Sequence, residues 1–343
     1  MPLRTAEAWL LALADAEGVS HALPGMPLSP EAWAYVLARA QYHGVLPAVL
    51  ANLKGLMAQH GARRMAAPAP GKGFEQVLAE ADERLIRQAA FSLLLRRQEA
   101  QIMRALATRA LPVFVLKGPS FADRLYAEPG LRQFTDLDLL ARRDAVADVE
   151  AGIGEFGYRQ VPVPRTKYAT GYGERTWCLP DEPGGSVEVH WNLVNSPPLR
   201  RRISVAYDDL QLEDGPEVGG SEPRPSASSL LLIAAVHGAA GHRFDRLQIL
   251  CDVCQCARRA AGALDEKWLA DAAARTGSRR ALQAALSLAG DALGEPRCRE
   301  LLERLGWAGG AWRCLLTPAV VLRSDRPLAK LRRQLFRELL KRP

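Results

Sequence analysis

The sequence predicts an α+β protein, a mixed sheet with helices at its centre and helical regions on both sides. Three observations predict it. Apolar residues recur at helical spacing through about the first 110 residues and again from Ser229 to Lys341. Between these stretches the period shortens to apolar runs and strict alternation, the mark of strands. Segments rich in Gly, Pro and Ser punctuate the sequence near the changes. The chain therefore divides into an N-terminal helical region 1–110, an α/β core 111–214 and a C-terminal helical domain 215–343.

Each element has a local cause. Ser29 followed by Pro30-Glu31-Ala32 is an N-cap with proline at the first helical position, and Trp33, Val36, Leu37 and Ala40 follow at helical spacing. Gly61 to Gly73 reads as a loop between helices. From Phe74 the helical pattern resumes with Leu85, Ala89, Leu93, Leu94, Ile102 and Leu106. Pro112 to Leu116 is a short apolar run typical of a buried strand. Lys117-Gly118-Pro119-Ser120 breaks it, and Phe121 to Tyr126 forms a helical turn or two. Phe134 to Leu140 reads as a second strand, Asp144 to Phe156 as a helix closed by Gly157, and Ser186 to Trp191 as a third strand. Pro183-Gly184-Gly185 makes a hairpin before that strand, and Gly215 to Ser228 a loop or hinge.

Composition narrows the class. The 343 residues carry 45 Lys+Arg against 38 Asp+Glu, a net charge of +7, with 48% hydrophobic and 24% charged residues. That is a globular composition, and it excludes a largely disordered chain. The pI near 9.2 favours polyanionic partners only weakly, since the arginines are dispersed, and nucleic acid stays open as a partner. The longest apolar runs, such as Leu230 to Val236, are too short for a transmembrane helix. The N-terminus lacks a secretory pattern, and the six cysteines are scattered, so a cytoplasmic protein is expected.

The chemistry concentrates in the core. Asp136-Leu137-Asp138-Leu139-Leu140 places two carboxylates on one face of a strand and two leucines on the other. Such carboxylates repel each other unless a cation neutralises them, and oxygen ligands favour Mg²⁺ or Mn²⁺. Val187-Glu188-Val189-His190 is a second alternating strand with a third carboxylate, Glu188. Three carboxylates on neighbouring strands would support metal-assisted phosphoryl chemistry. Upstream, the glycine of the Lys117-Gly118 turn permits close backbone approach to phosphates, with Lys117 and Ser120 adding a charge and a hydroxyl.

Other clusters read more plainly. His237 and His242 lack the spacing of a helical metal pair, and His237 either packs or reaches the cleft from the helical domain. Cys251, Cys254 and Cys256 read as buried structural cysteines. Arg246 and Asp252 read as an ion pair joining helices, or as substrate-facing. The basic segment Lys330 to Lys341 reads as an amphipathic helix packed on its own domain.

Taken in order, these residues resemble a known family. Leu116-Lys117-Gly118, Leu125-Tyr126, Arg132, Asp136-Leu137-Asp138-Leu139-Leu140, Glu188-Val189-His190-Trp191 and His237 with Arg246 and Asp252 are similar to the bacterial uncharacterised nucleotidyltransferases of the DNA polymerase β-like superfamily. The resemblance runs from the helix around Trp33 to about Arg259. It implies a polymerase β-like core that transfers a nucleotidyl group from an NTP, with ATP as the expected nucleotide, to an unidentified acceptor such as a peptide or small molecule. Members of that family often accompany lasso-peptide or polysaccharide gene clusters, so the resemblance implies a role in such biosynthesis. It further implies catalytic and metal-binding roles for Asp136, Asp138 and Glu188 with Mg²⁺ or Mn²⁺, nucleotide binding by Lys117, Gly118, Ser120 and Arg132, and a cleft reached by His190, His237 and Arg246. One departure is Pro119, which separates Gly118 from Ser120 where the superfamily has Gly-Ser. Kinase-type phosphoryl transfer and a non-catalytic peptide- or RNA-binding scaffold are the alternatives.

Overall fold

The structure, a computed structural model, describes residues 4–25, 27–60, 73–162, 171–180, 185–213, 223–259 and 263–342. Four N-terminal helices come first: α1 (Thr5–Leu13), α2 (Pro30–Tyr42), α3 (Leu46–His60) and α4 (Phe74–Ala107). The Ser29 hydroxyl accepts from the Ala32 amide at 3.2 Å and caps α2 as its residue type requires. Trp33 lies 5.2 Å from Trp9 and 5.7 Å from Phe74, ring to ring, so one indole joins three helices.

Helix α4 departs from the expected pattern. Its ends are buried through Phe74, Val77, Leu78, Leu95, Ile102 and Leu106, but Leu93 and Leu94 are exposed and Ala89 faces solvent. A helix of this length, about 50 Å, outruns the bodies that it packs on, so one side of its middle faces solvent while Gln88 donates to the Phe134 carbonyl and Phe91 packs beside Leu95 and Phe134. The loop expected from Gly61 to Gly73 lies outside the described residues, except for Gly73.

The core is a five-stranded mixed sheet in the order β1-β2-β5-β4-β3: β1 (Val113–Val115), β2 (Asp136–Ala141), β3 (Arg159–Gln160), β4 (Glu174–Cys178) and β5 (Ser186–His190). Between them lie α5 (Pro119–Leu125) and α6 (Val146–Glu155). Strands β1 and β2 are antiparallel, β2 and β5 parallel, and β4 runs antiparallel to both β5 and β3. Strands β3 and β4 were not expected from the sequence. Every residue of β4 is half-buried, so its strand has no apolar run to reveal it. Residues 183 and 184 of the expected hairpin lie outside the described residues.

One sheet face carries Leu137, Leu139, Val187 and Val189, fully packed against Val149 and Ile153 of α6 and Ile102 and Leu106 of α4. Strict alternation then sends Asp136, Asp138 and Glu188 to the opposite face. The remaining elements are α7 (Pro197–Arg200), a ribbon of β6 (Leu212–Glu213) with β7 (Arg224–Pro225), and helices α8 (Ala227–Val236), α9 (Leu247–Arg259), α10 (Glu266–Arg275), α11 (Arg279–Leu293), α12 (Pro296–Arg304), α13 (Pro318–Leu322) and α14 (Pro327–Leu340). The described part of the expected hinge at Gly215 to Ser228, residues 223–228, holds a strand and a helix start. Arg224–Pro225 pairs with β6, and the Ser226 hydroxyl caps α8 by accepting from the Ser229 amide at 3.3 Å.

A single core cluster takes in Trp9 and Trp33 from the N-terminal helices, Phe114, Leu116 and Leu140 from the sheet, and residues of α8, α9, α11 and α14. The three stretches of sequence share this interior. Among the described residues no helix is long and apolar enough to cross a membrane. Cys251, Cys254 and Cys256 are buried free thiols in α9, as expected.

Candidate active site

The parallel register of β2 and β5 sets Asp138 beside Glu188, and Asp136 beside Ser186. The antiparallel register of β4 sets Glu174 opposite His190 and Thr176 opposite Glu188. Residues two apart share a face, so Asp136, Asp138, Glu188, His190 and Glu174 all gather on the side away from α6. The antiparallel β1–β2 pair brings the residues after β1 back alongside the start of β2, and there Lys117 enters.

Asp138 is the centre of the group and has no exposed surface. The Lys117 ammonium donates to its Oδ2, and His190 Nε2 lies 3.0 Å from its Oδ1. His190 Nε2 is also 3.5 Å from Glu188 Oε2. Lys117 Nζ is 3.9 Å from Asp136 Oδ2, whose side chain retains 32% of its exposure. Ligating atoms of Asp138, Glu188 and His190 all lie within 4.8 Å of one another. On the far side of the imidazole, Nδ1 is 3.1 Å from Glu174 Oε2, close enough for an ion pair though not aligned as a hydrogen bond. Asn195 Nδ2 donates to the same Glu174 oxygen.

The charges respond to this crowding. Burial disfavours the charge on Asp138, but Lys117 and His190 outweigh it and hold the carboxyl well below the usual range. Burial likewise opposes the charge on Lys117, and Asp138, Asp136 and Glu188 more than restore it, so its pKa is raised. His190 is pushed up to about 10: burial lowers it, and the hydrogen bonds and charges of Asp138, Glu188 and Glu174 win. Asp136 is raised, chiefly by the Asp138 charge and then by burial. Glu174 is pushed up to about 6 by burial, against the pull of His190. Negative charge from four carboxylates on this face is thus only partly offset by one ammonium and one imidazolium.

The Lys-Gly turn has a structural requirement of its own. Gly118 has φ +63° and ψ −117°, and a Cβ there would sit 3.3 Å from the Asp136 carbonyl oxygen. The sequence reading gave this glycine only a phosphate-approach role; its backbone conformation already demands it. Ser120 sits in the first turn of α5, after Pro119.

Arg132 was expected at the nucleotide. In the structure its Nε and Nη2 donate to Asp252 at 2.8 and 2.9 Å, and Nη1 donates to the Gly118 carbonyl at 3.0 Å. Tyr126 Oη donates to Asp252 at 2.8 Å. Arg132 thus holds the turn from behind, anchored in α9. The suggested Arg246–Asp252 ion pair is not formed. Asp252 takes Arg132 instead, while Arg246 is exposed and lies over the Tyr42 ring at 6.0 Å, so it does not reach the carboxylates.

His237 comes closer to the site. It opens a π-helical turn, His237–His242, that continues α8, and its ring meets that of His242 at 4.6 Å. His242 Nδ1 lies 3.4 Å from Asp245. Burial, His242 and Lys117 push the His237 pKa well below its ordinary value, against the charge of Asp138. The residue missed by sequence reasoning is Glu174. Its only signal was the alternation of Glu174, Thr176 and Cys178 on a strand without an apolar run.

Residues 29–294 match the model of a protein family described as uncharacterised nucleotidyltransferase, and the chain belongs to that family. No curated protein and no solved structure matches it.

Proposed function

From membership of this nucleotidyltransferase family, we propose that the chain transfers a nucleotidyl group from an NTP to an acceptor with the help of a divalent cation, on a polymerase β-like core formed by residues 111–214. The observation that carries the reading is the convergence of Asp138 and Glu188 on adjacent parallel strands, with Asp136 on the same face and Lys117 between the aspartates. The donors fit a cation, because three ligating atoms already lie within 4.8 Å of one another. A bound dication would polarise the α-phosphate and neutralise charge on the departing pyrophosphate.

The chain's own residues have distinct parts. Asp138 and Glu188 would hold the ion, with Asp136, more exposed, on the same face of the sheet. Lys117, which donates to Asp138 and lies 3.9 Å from Asp136, would supply a positive charge for the phosphate oxygens. Gly118 keeps the turn close to β2, and Arg132 fixes the Gly118 carbonyl. His237, at the π-helical turn that continues α8, lines the cleft on the side where the acceptor would enter. The expected acceptors are peptides or small molecules.

The test is incubation with each NTP and Mg²⁺ or Mn²⁺ beside candidate acceptors, with pyrophosphate assay and mass analysis of the products. Transfer should add one nucleoside monophosphate and release one pyrophosphate. A mass gain of one phosphoryl group would instead identify a kinase. Undiminished turnover in both Asp136→Asn and Glu188→Gln would remove these carboxylates from the mechanism.

A further inference from the structure

We infer that His190 Nε2 is itself a metal ligand, that it completes with Asp138 and Glu188 a site of two carboxylates and one imidazole selecting a first-row transition-metal dication over Mg²⁺, and that Glu174 is its positioning carboxylate. The inference rests on the nucleotidyl-transfer reading only in taking this end of the sheet as the place where metal and nucleotide meet.

Distances carry the first part. Ligands held about 2.0–2.2 Å from one ion lie about 3–4 Å from each other. His190 Nε2 stands 3.0 Å from Asp138 Oδ1 and 3.5 Å from Glu188 Oε2. Asp136, which the sequence motif suggested as an equal ligand, is outside this group and approaches Lys117 instead. The donor set that has assembled is therefore mixed nitrogen and oxygen.

The far side of the ring carries the second part. A ligating histidine usually presents its other nitrogen to a carboxylate or carbonyl, which fixes the ring orientation and strengthens the ligand. Here Nδ1 lies 3.1 Å from Glu174 Oε2, within ion-pair reach though not aligned as a hydrogen bond, and Asn195 donates to that same carboxylate oxygen. The strand register makes this arrangement, since Glu174 is the residue of β4 directly opposite His190.

Chemistry carries the third part. Mg²⁺ prefers an all-oxygen shell with several waters, whereas imidazole suits Mn²⁺, Fe²⁺, Co²⁺ and Zn²⁺ increasingly well. A fixed imidazole at the bottom of the site therefore favours the second class.

Titration of the full-length protein with Mn²⁺ and with Mg²⁺, together with pulsed electron paramagnetic resonance of bound Mn²⁺, tests the inference. Wild type should bind Mn²⁺ about tenfold or more tightly than Mg²⁺ and show modulation from a directly bound nitrogen. His190→Gln should lose the nitrogen signal and the preference together. Glu174→Gln should keep the signal while Mn²⁺ affinity falls about tenfold. If His190→Gln does not fold, judged by thermal melting, the wild-type spectrum and Glu174→Gln still decide. Mn²⁺ bound without nitrogen coupling, equal affinities for the two ions, or no binding of either overturns the inference. Nitrogen-coupled Mn²⁺ with no pyrophosphate released from any NTP would leave it standing and remove nucleotidyl transfer. Turnover supported by an ion held only by oxygens would do the reverse.

Discussion

At Asp138 a carboxylate without exposed surface sits between an ammonium and an imidazole. From the sequence, Asp136→Asn and Asp138→Asn are equivalent probes that abolish turnover and spare the fold. The structure separates them. Asp138→Asn leaves two buried cations facing each other, a change that costs about 3–5 kcal/mol when a buried pair is broken. Asp136→Asn, with its side chain partly in solvent, should lose turnover while staying within about 0.5 kcal/mol of wild type. Urea unfolding of the two variants measures the difference; equal stabilities would mean that Asp138 is not the charge centre. A second residue gives a pH signature. His43 is fully buried beside Arg39, and burial, then the Arg39 charge, lowers its pKa from 6.5 to about 4. The unfolded chain therefore binds this proton more readily, so the stability contribution is present above pH 6.5 and is lost as pH falls through 4. The loss attributable to His43 is about 3 kcal/mol. Stability measured at pH 7 and pH 4 should fall less in His43→Gln than in wild type, and parallel pH slopes would exclude His43 as the source.

Between elements, Asp252 of α9 fastens the C-terminal helices to the Lys-Gly turn through Arg132 and Tyr126. Asp252→Asn leaves the Arg132 guanidinium buried without its counter-charge and should cost about 3–5 kcal/mol. Arg246→Gln, on an exposed side chain, should be nearly silent in the same unfolding experiment. Helix α14 tests a different point. Ala329, Arg333, Phe336 and Leu340 face the interior, while Leu328, Leu331 and Leu335 are 61%, 55% and 45% exposed. The helix packs on its own domain as expected, but Leu331 and Leu335 are not on the packed side. Phe336→Ala should therefore cost about 3–5 kcal/mol, whereas Leu331→Gln should change stability by no more than about 0.5 kcal/mol. A large loss in Leu331→Gln would show that this face is covered in solution.

Across the whole molecule, the three stretches of chain share one interior. Phe114, Leu116 and Leu140 of the sheet lie in the same cluster as Trp9, Trp33 and the helices α8, α9 and α11. The carboxylate-bearing face of the sheet is thus completed by helices from outside residues 111–214. A fragment of residues 111–214 should therefore fail to fold cooperatively, since excision exposes that apolar surface to water. Circular dichroism with thermal melting decides it: a sharp two-state transition in the fragment would establish an autonomous core and make the flanking helices accessory.

The sequence by itself determined the helical flanks, the strands β1, β2 and β5, and the face each carboxylate occupies. These are local properties: a period of two fixes sides, and a serine before a proline fixes a helix start. It also contained the family resemblance, because Asp136-Leu137-Asp138 and Glu188-Val189-His190 are contiguous strings. Only the tertiary structure decided the strand order that sets Asp138 beside Glu188, because alternation carries no information about neighbours. It alone brought Glu174 behind His190, from a half-buried strand with no apolar signature. It also tied Arg132 to Asp252, a residue 120 positions away. Long-range pairing of buried charges depends on which surfaces meet, and no local pattern in the chain encodes that.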